Sequence, residues 1–300
     1  MTASTERTTT VLRPTPPFDF AASLRFLSQF PATRGEQVLG DQLLAKAFRL
    51  AGRTVGVRVT GRDDAGAPVL DCAMYASARL GQAACDAVAD RVGMFLGIHD
   101  DLGEFYRVGR ADPAFAPVVD RLHGYHHVKF PSPWENVCWA ILAQRCPMPI
   151  AQRMKFALVH AFDSAINVDG TRLWPFPEPS QLLSRGPAGI NELVGNERKA
   201  KYLLGAAAAY QDADEEFLRT GPIGEVRDWL LAIPGIGPWS ASFVLIRGLG
   251  RMSDLPADPA IVRAASRVYG RSLSDSAFAA LADRYGDWKA YWGHYLRVVS

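Results

Sequence analysis

Two features of this sequence could do chemistry together: a glycine-bearing turn and a single carboxylate downstream of it. The turn is Ile233-Pro234-Gly235-Ile236-Gly237, set between two apolar segments. The carboxylate is Asp258, in Leu255-Pro256-Ala257-Asp258-Pro259. Val226, Trp229, Leu230 and Ile233 fall at helical spacing, and Pro234 cannot continue that helix. Gly235 and Gly237 tolerate positive φ, and a second helical pattern, Trp239, Phe243, Val244 and Arg247, then runs to Gly248. Such a hairpin leaves backbone N–H groups uncovered at the start of its second helix, where the dipole favours an anion. Without side chains, the glycines let a phosphate come close. The same residues also suit an ordinary helix–turn–helix connection inside a core. Asp258 sits in a proline-stiffened loop ahead of Ala260, Ile261, Ala264, Ala265 and Val268, a helical face. It can cap that helix, and it can serve as a lone acid beside a phosphate grip; the two roles are compatible.

The elements that must position these groups follow from periodicity. Phe20, Leu24 and Leu27 predict a helix within residues 18–30. Val55, Val57 and Val59 alternate, Gly61–Gly66 reads as a turn, and Val69–Tyr75 alternates again, so this is a β-hairpin. Leu43–Leu50 leads into it as a strand. Gln82–Leu96 is an amphipathic helix, carrying Ala84, Val88, Val92 and Phe95. From Asp112 onward the pattern predicts helices and no strand: Pro113–His123, Pro133–Gln144, Pro149–Phe162, a helix opening at Ser180, Pro187–Leu193 and Arg198–Tyr210. The fold class expected is mostly α with an N-terminal α+β domain containing a small antiparallel sheet. Its divisions are a disordered Thr- and Pro-rich tail (1–17), the α+β domain (18–111) and an all-helical region (112–300), with the hairpin at 226–247. Asp100, Asp101 and Glu104 read as a solvated helix end, and Tyr291, Trp292 and Tyr295 as a core stripe.

Composition narrows the classes. The chain of 300 residues carries a formal net charge of only +2, so it is no basic-tail nucleic-acid binder. From Gly221 to Ser300 there are nine Lys/Arg against seven Asp/Glu, so contacts to an anionic partner must rely on local placement and backbone amides. The four cysteines, Cys72, Cys85, Cys138 and Cys146, have no metal-ligand spacing and suit a reducing cytoplasm. His123, His126 and His127 lack a carboxylate or cysteine to complete a metal set, so a junction loop explains them. No apolar run reaches membrane-spanning length.

The order of hairpin PGIG, then Trp239, then LPxD before a helix resembles the helix-hairpin-helix DNA glycosylases, and within them the bacterial 3-methyladenine DNA glycosylase II (AlkA-like) type. The resemblance runs from about Phe18 to about Arg297. It is strongest over Ile141–Ala143 and Leu230–Arg263. It implies a monofunctional enzyme that flips alkylated bases, 3-methyladenine and related cationic purines, out of double-stranded DNA and hydrolyses their glycosidic bonds. Asp258 would be the catalytic carboxylate. Gly235, Ile236 and Gly237 would contact the DNA backbone, and Trp239, Phe243 and Phe26 would line the base pocket. Ile141-Leu142-Ala143-Gln144-Arg145 resembles the family's stretch whose next residue enters the duplex. Gln144 and Arg145 are therefore expected at the DNA, although that residue is commonly apolar or an amide in the family and is Arg145 here. A wedge, a phosphate contact and a solvated charge all remain open for it.

Bifunctional members of the family carry a nucleophilic lysine where this chain has Trp239, so no lyase activity is expected. The chemistry needs no cofactor. In the family the hairpin carbonyls often hold a monovalent or divalent ion, which Leu231, Ile233 and Ile236 would supply. The iron–sulfur loop of some relatives is excluded, because no cysteine follows Cys146. A cytoplasmic monomer acting on the nucleoid is the expected setting. Two other readings stay open: a non-catalytic helix-hairpin-helix DNA-binding protein, and a glycosylase of the same fold with an oxidised- or mismatched-base preference.

Overall fold

The computed structural model describes residues 5–256 and 258–300. Strand β1 (Glu6–Leu12) precedes α1 (Phe20–Gln29), β2 (Gln37–Gly40), β3 (Leu43–Leu50), β4 (Arg53–Asp64), β5 (Ala67–Ala76) and α2 (Gln82–Leu96). There follow α3 (Gly103–Arg110), α4 (Ala116–Arg121), α5 (Pro133–Ala143), α6 (Met148–His160), β6 (Ile166–Val168) and β7 (Thr171–Leu173). The chain continues through α7 (Pro179–Val194), α8 (Glu197–Gln211), α9 (Glu215–Thr220), α10 (Ile223–Leu231) and α11 (Pro238–Arg247). It ends with α12 (Pro259–Val268), α13 (Asp275–Asp283) and α14 (Lys289–Val298). The helical predominance and the N-terminal antiparallel sheet agree with the fold class read from the sequence.

The five-stranded sheet has the order β1-β5-β4-β3-β2, with each pair antiparallel. Alternation sets its faces: Val55, Val57 and Val59 are buried against the side that also holds Val88, Val92 and Phe95 of α2. Ala45, Ala47, Ala73 and Tyr75 point the other way and meet Ile166, Val168 and Leu173. Those last three belong to the β6–β7 hairpin, a correction to the expectation of no strand after Asp112. Each strand of that hairpin is three residues long, too short for alternation to show. It seats on the sheet at Gly56, where the Val168 and Ile166 side chains occupy the space a Cβ would take.

The expected disordered tail is also corrected. Residues 1–4 lie outside the described residues, but Glu6–Leu12 pairs with β5 from Glu6↔Ala76 to Leu12↔Leu70. Thr8, Thr9 and Thr10 are β-branched and fit a pleated edge, while Leu12 is buried. Threonine richness was the signal of a strand. The helix expected over Pro113–His123 is confined to α4, and α3 precedes it where the acidic row was placed in a solvated end. Asp100 is not simply solvated: it accepts from buried Lys129 Nζ at 2.7 Å and from the Tyr291 hydroxyl. His126 lies between the Gly97 and Pro17 carbonyls, at 2.6 and 2.9 Å.

Two large apolar clusters hold the chain. One joins the sheet, α1 and α2 to α12, α13 and α14, and contains Tyr291, Trp292 and Tyr295. The other surrounds α5, which is capped by Ser132 and buried along nearly its whole length, and includes residues of α6, α8, α10 and α11. A buried ionic cluster ties α5 and α6 to the N-terminal layer. Lys155 Nζ reaches Glu36 at 2.6 Å and Glu135 at 2.7 Å, and Lys46 adds a further contact to Glu36 at 3.5 Å. Burial works against the Lys155 ammonium, but Glu135 and Glu36 outweigh it and raise its pKa. Removing one partner of such a set leaves a buried charge uncompensated, at a cost of roughly 3–5 kcal/mol.

Candidate functional site

Helix α10 ends at Ala232, and the chain turns through Gly235, whose φ is +88°. A Cβ at Gly235 would run into the ring of Tyr202 on α8, so glycine is required there on two counts. Gly237 is different: its φ is −98°, and nothing lies near a Cβ built on it. Its side faces open space at the start of α11. Pro238 occupies the first turn of α11, and no side chain caps it. Within the described residues, the Gly235 and Gly237 N–H groups meet no backbone acceptor. The Ile236 N–H donates to the Ile233 carbonyl at 3.0 Å and its side chain is buried, so its amide serves the turn.

Trp239 and Phe243 lie one helical turn apart on α11, as expected, with rings stacked at 5.2 Å and 12°. Trp239 is 46% exposed, unusual for so large an apolar side chain. Its Nε1 donates to Asp258 Oδ2 at 3.1 Å. Asp258 Oδ1 accepts from the Ala260 N–H at 2.8 Å, which caps α12. The carboxylate thus spends one oxygen on its helix and turns the other to the indole. Phe26 is reached from this pair through a chain of rings: Phe243–Phe130 at 5.8 Å, Phe130–Phe30 at 5.3 Å and Phe30–Phe26 at 5.2 Å.

At the end of α5, Arg145 is exposed and holds φ +49°, a left-handed conformation that costs a non-glycine residue on the order of 1 kcal/mol. The turn is held from two sides. Lys199 Nζ, on α8, donates to the carbonyls of Leu142 and of Gln144, the latter at 3.0 Å. Gln144 Nε2 donates to the Gly235 carbonyl at 2.6 Å. The Gln144 amide nitrogen therefore ties this turn to the hairpin. Arg145, Gly237, Trp239 and Asp258 are all left at the surface or partly open to it.

Three residues of this arrangement escaped the sequence reading. Lys199 carries no local signal of its burial, and Tyr202 gives no sign that it packs on Gly235. Arg247 does carry a signal, since it continues the Trp239–Phe243 face by one further turn. It is buried, its Nη2 donates to the Val128 carbonyl at 2.7 Å, and its guanidinium lies 4.4 Å from the Phe30 ring centre and 5.0 Å from that of Phe26.

No family model matches the chain. It is 28% identical over 163 residues to a Bacillus subtilis protein named DNA-3-methyladenine glycosylase, covering 54% of each chain. It is 27% identical over 185 residues to a Mycobacterium tuberculosis protein named probable bifunctional transcriptional activator/DNA repair enzyme AlkA, covering 60% of this chain and 36% of that one. The chain thus matches about half or less of the length of these relatives. The solved 3-methyladenine DNA-glycosylase from Archaeoglobus fulgidus superposes with a TM-score of 0.81 at 22% identity, over 96% of this chain and 97% of that one. This chain is accordingly a homologue of proteins named DNA-3-methyladenine glycosylase and AlkA, built on the fold of the helix-hairpin-helix DNA glycosylases.

Proposed function

We propose that this protein is a monofunctional DNA glycosylase that removes alkylated bases from double-stranded DNA. The observation that carries the reading is Asp258. It is a carboxylate with one oxygen engaged by an exposed indole, close to a hairpin whose outward amides are uncapped. The names of the relatives support the choice of alkylated bases.

The N–H groups of Gly235 and Gly237 grip a backbone phosphate, a contact that positions the duplex without reading its sequence. Arg145, held out on its strained turn, meets the duplex and fills the gap left by the extruded nucleotide; its planar head stacks on bases. The flipped base stacks against Trp239 and Phe243, which favour an electron-poor ring. The C1′–N bond then breaks, its electron pair leaves with the base, and positive charge builds on the sugar. Asp258 stabilises that charge, and water adds at C1′. A preorganised group of this kind is worth about two to three orders of magnitude in rate.

No cofactor enters the reaction. The carbonyls of Leu231, Ile233 and Ile236 lie at the C-terminal end of α10, where the helix dipole favours a cation. Neutral oxygens suit a hard monovalent or divalent ion bound for structure. The protein acts as a monomer in the cytoplasm, on the nucleoid of a bacterial cell. The experiment is a base-release assay on duplexes each carrying one defined lesion, followed by alkali. Alkali-labile sites at the position of 3-methyladenine support the reading, and no release from any alkylated duplex overturns it.

A further inference from the structure

One side of helix α8 touches both of the loops assigned to the duplex. Lys199 Nζ donates to the carbonyls of Leu142 and Gln144, the latter at 3.0 Å, and to Cys146 Sγ at 3.3 Å. The ammonium has three protons, and each finds an acceptor at the end of α5 while the side chain stays buried. One turn further on, the Tyr202 ring fills the space where a Cβ of Gly235 would stand. One turn beyond that, Gly205 faces Pro234, and a Cβ added there would lie 3.1 Å from Pro234 Cγ. Gln144 closes the circuit. Its carbonyl accepts from Lys199, and its side chain donates to the Gly235 carbonyl at 2.6 Å.

Arg145 follows Gln144 directly, exposed and at φ +49°. A non-glycine residue keeps such a conformation only where its surroundings hold it there. The carbonyls before it are the last of α5, which lack helical partners and carry the negative end of the helix dipole. A buried cation meets both needs. Removing it takes the donor from the Gln144 carbonyl and frees the turn to relax, which moves Arg145. The hairpin depends on Lys199 less, since Gly235 holds its own φ of +88° without a Cβ. The bond from Trp239 to Asp258 lies outside the circuit.

We propose that Lys199 is a positioning residue for base extrusion. Through the end of α5 it holds Arg145 at a fixed place relative to the hairpin amides, so that gripping the phosphate and filling the vacated stack occur as one event. This inference rests on the reading of Arg145 as the residue that enters the duplex. Extrusion costs the unpairing and unstacking of the base, and the cost is smaller where no opposite base holds the lesion. A loosened Arg145 therefore impairs release of a paired base selectively.

The test uses two duplexes, one with 3-methyladenine opposite thymine and one with the same lesion opposite an abasic site. Single-turnover release from each is measured for wild type, Lys199→Met, Lys199→Arg, Arg145→Ala and the double variant Lys199→Met/Arg145→Ala. Lys199→Met should lower the ratio of paired to unpaired release by about tenfold, the effect of one charge-assisted hydrogen bond, and should bind undamaged duplex within a few-fold of wild type. Lys199→Arg keeps a cation at the end of α5 and should restore most of the ratio. In the Arg145→Ala background Lys199→Met should change the ratio by no more than about twofold, because the residue it positions is gone. The ratio cancels a general loss of fold. If Lys199→Met does not fold, Gln144→Leu, which cuts the circuit at the hairpin and leaves Lys199 in place, should show the same selective loss. An unchanged ratio in Lys199→Met, or in Gln144→Leu where that variant replaces it, overturns the inference, as does a loss that multiplies fully with that of Arg145→Ala. A wild-type ratio in Arg145→Ala removes Arg145 as the inserted residue, and this inference with it, while leaving the glycosylase reading intact. Release from neither duplex by the wild type overturns that reading itself.

Discussion

Trp239 and Asp258 are joined by a hydrogen bond from the indole Nε1 to the carboxylate Oδ2, 3.1 Å long, across the loop between α11 and α12. The bond fixes the acid against the outer face of an aromatic wall. It also explains how one aspartate can do two jobs, since Oδ1 caps α12 while Oδ2 is directed to the indole. Asparagine is about as good a cap as aspartate but carries no charge. Asp258→Asn should therefore fold normally and bind duplex DNA as wild type does, while base release falls by at least about 100-fold. Single-turnover release on a methylated duplex measures this. Near wild-type turnover in the variant would leave Asp258 as a cap and nothing more.

The two hairpin glycines should fail in different ways. Gly237 opens onto free space but caps α11, so Gly237→Val should cost no more than about 1 kcal/mol of stability and weaken binding to every duplex by about tenfold, whatever the lesion. Gly235→Ala meets both a positive φ and the Tyr202 ring, and should lower stability by roughly 1–3 kcal/mol. Thermal unfolding and binding titrations on damaged and undamaged duplexes separate the two. A lesion-specific loss in Gly237→Val, with undamaged binding intact, would contradict the phosphate grip.

A lyase needs an amine to attack the sugar, and Trp239 cannot supply one. The lysines nearest in sequence are engaged elsewhere. Lys199 donates to the end of α5, Lys129 is paired with Asp100, Lys289 with Asp283 and Lys201 with Glu197. The product should be an intact strand with an abasic site that breaks only on added alkali. Incubation with lesion duplex and borohydride should trap no covalent adduct, and a trapped adduct in good yield would force a search for the amine.

His127 and His294 lie with ring centres 4.1 Å apart, and burial depresses both pKa values well below 6.5. The unfolded chain binds protons at these rings below about pH 6.5, while the folded chain does not. Stability should then be flat above that pH and fall below it, by up to about 1.4 kcal/mol per pH unit for each ring. Urea midpoints between pH 7.5 and 5.5 report the slope. His294→Gln should reduce it by about one ring's share, and an undiminished slope would place the titrating groups elsewhere.

Much of the positioning was already local. Pro234 and Gly235 end one helix and turn the chain, Asp258 caps the next, and the Trp239–Phe243 spacing alone puts two rings on one face. These features depend on residues a few positions apart, where steric rules and helical geometry act directly. The β4–β5 hairpin was equally legible, because a half-buried strand must alternate.

What the tertiary structure decided depends on partners far apart in sequence. Glu6–Leu12 is a strand because β5 offers it an edge, and β6–β7 forms because Gly56 lets it approach the sheet. Lys199 is a support for the Arg145 turn because α8 packs against the end of α5, and Gln144 is turned to the hairpin rather than outward. In the sequence Arg247 is only the last member of a helical pattern that stops at Gly248. Only the meeting of α1 with α11, which sets its guanidinium against Phe26 and Phe30, makes it a buried cation, since burial is a property of the packed chain and not of the residue.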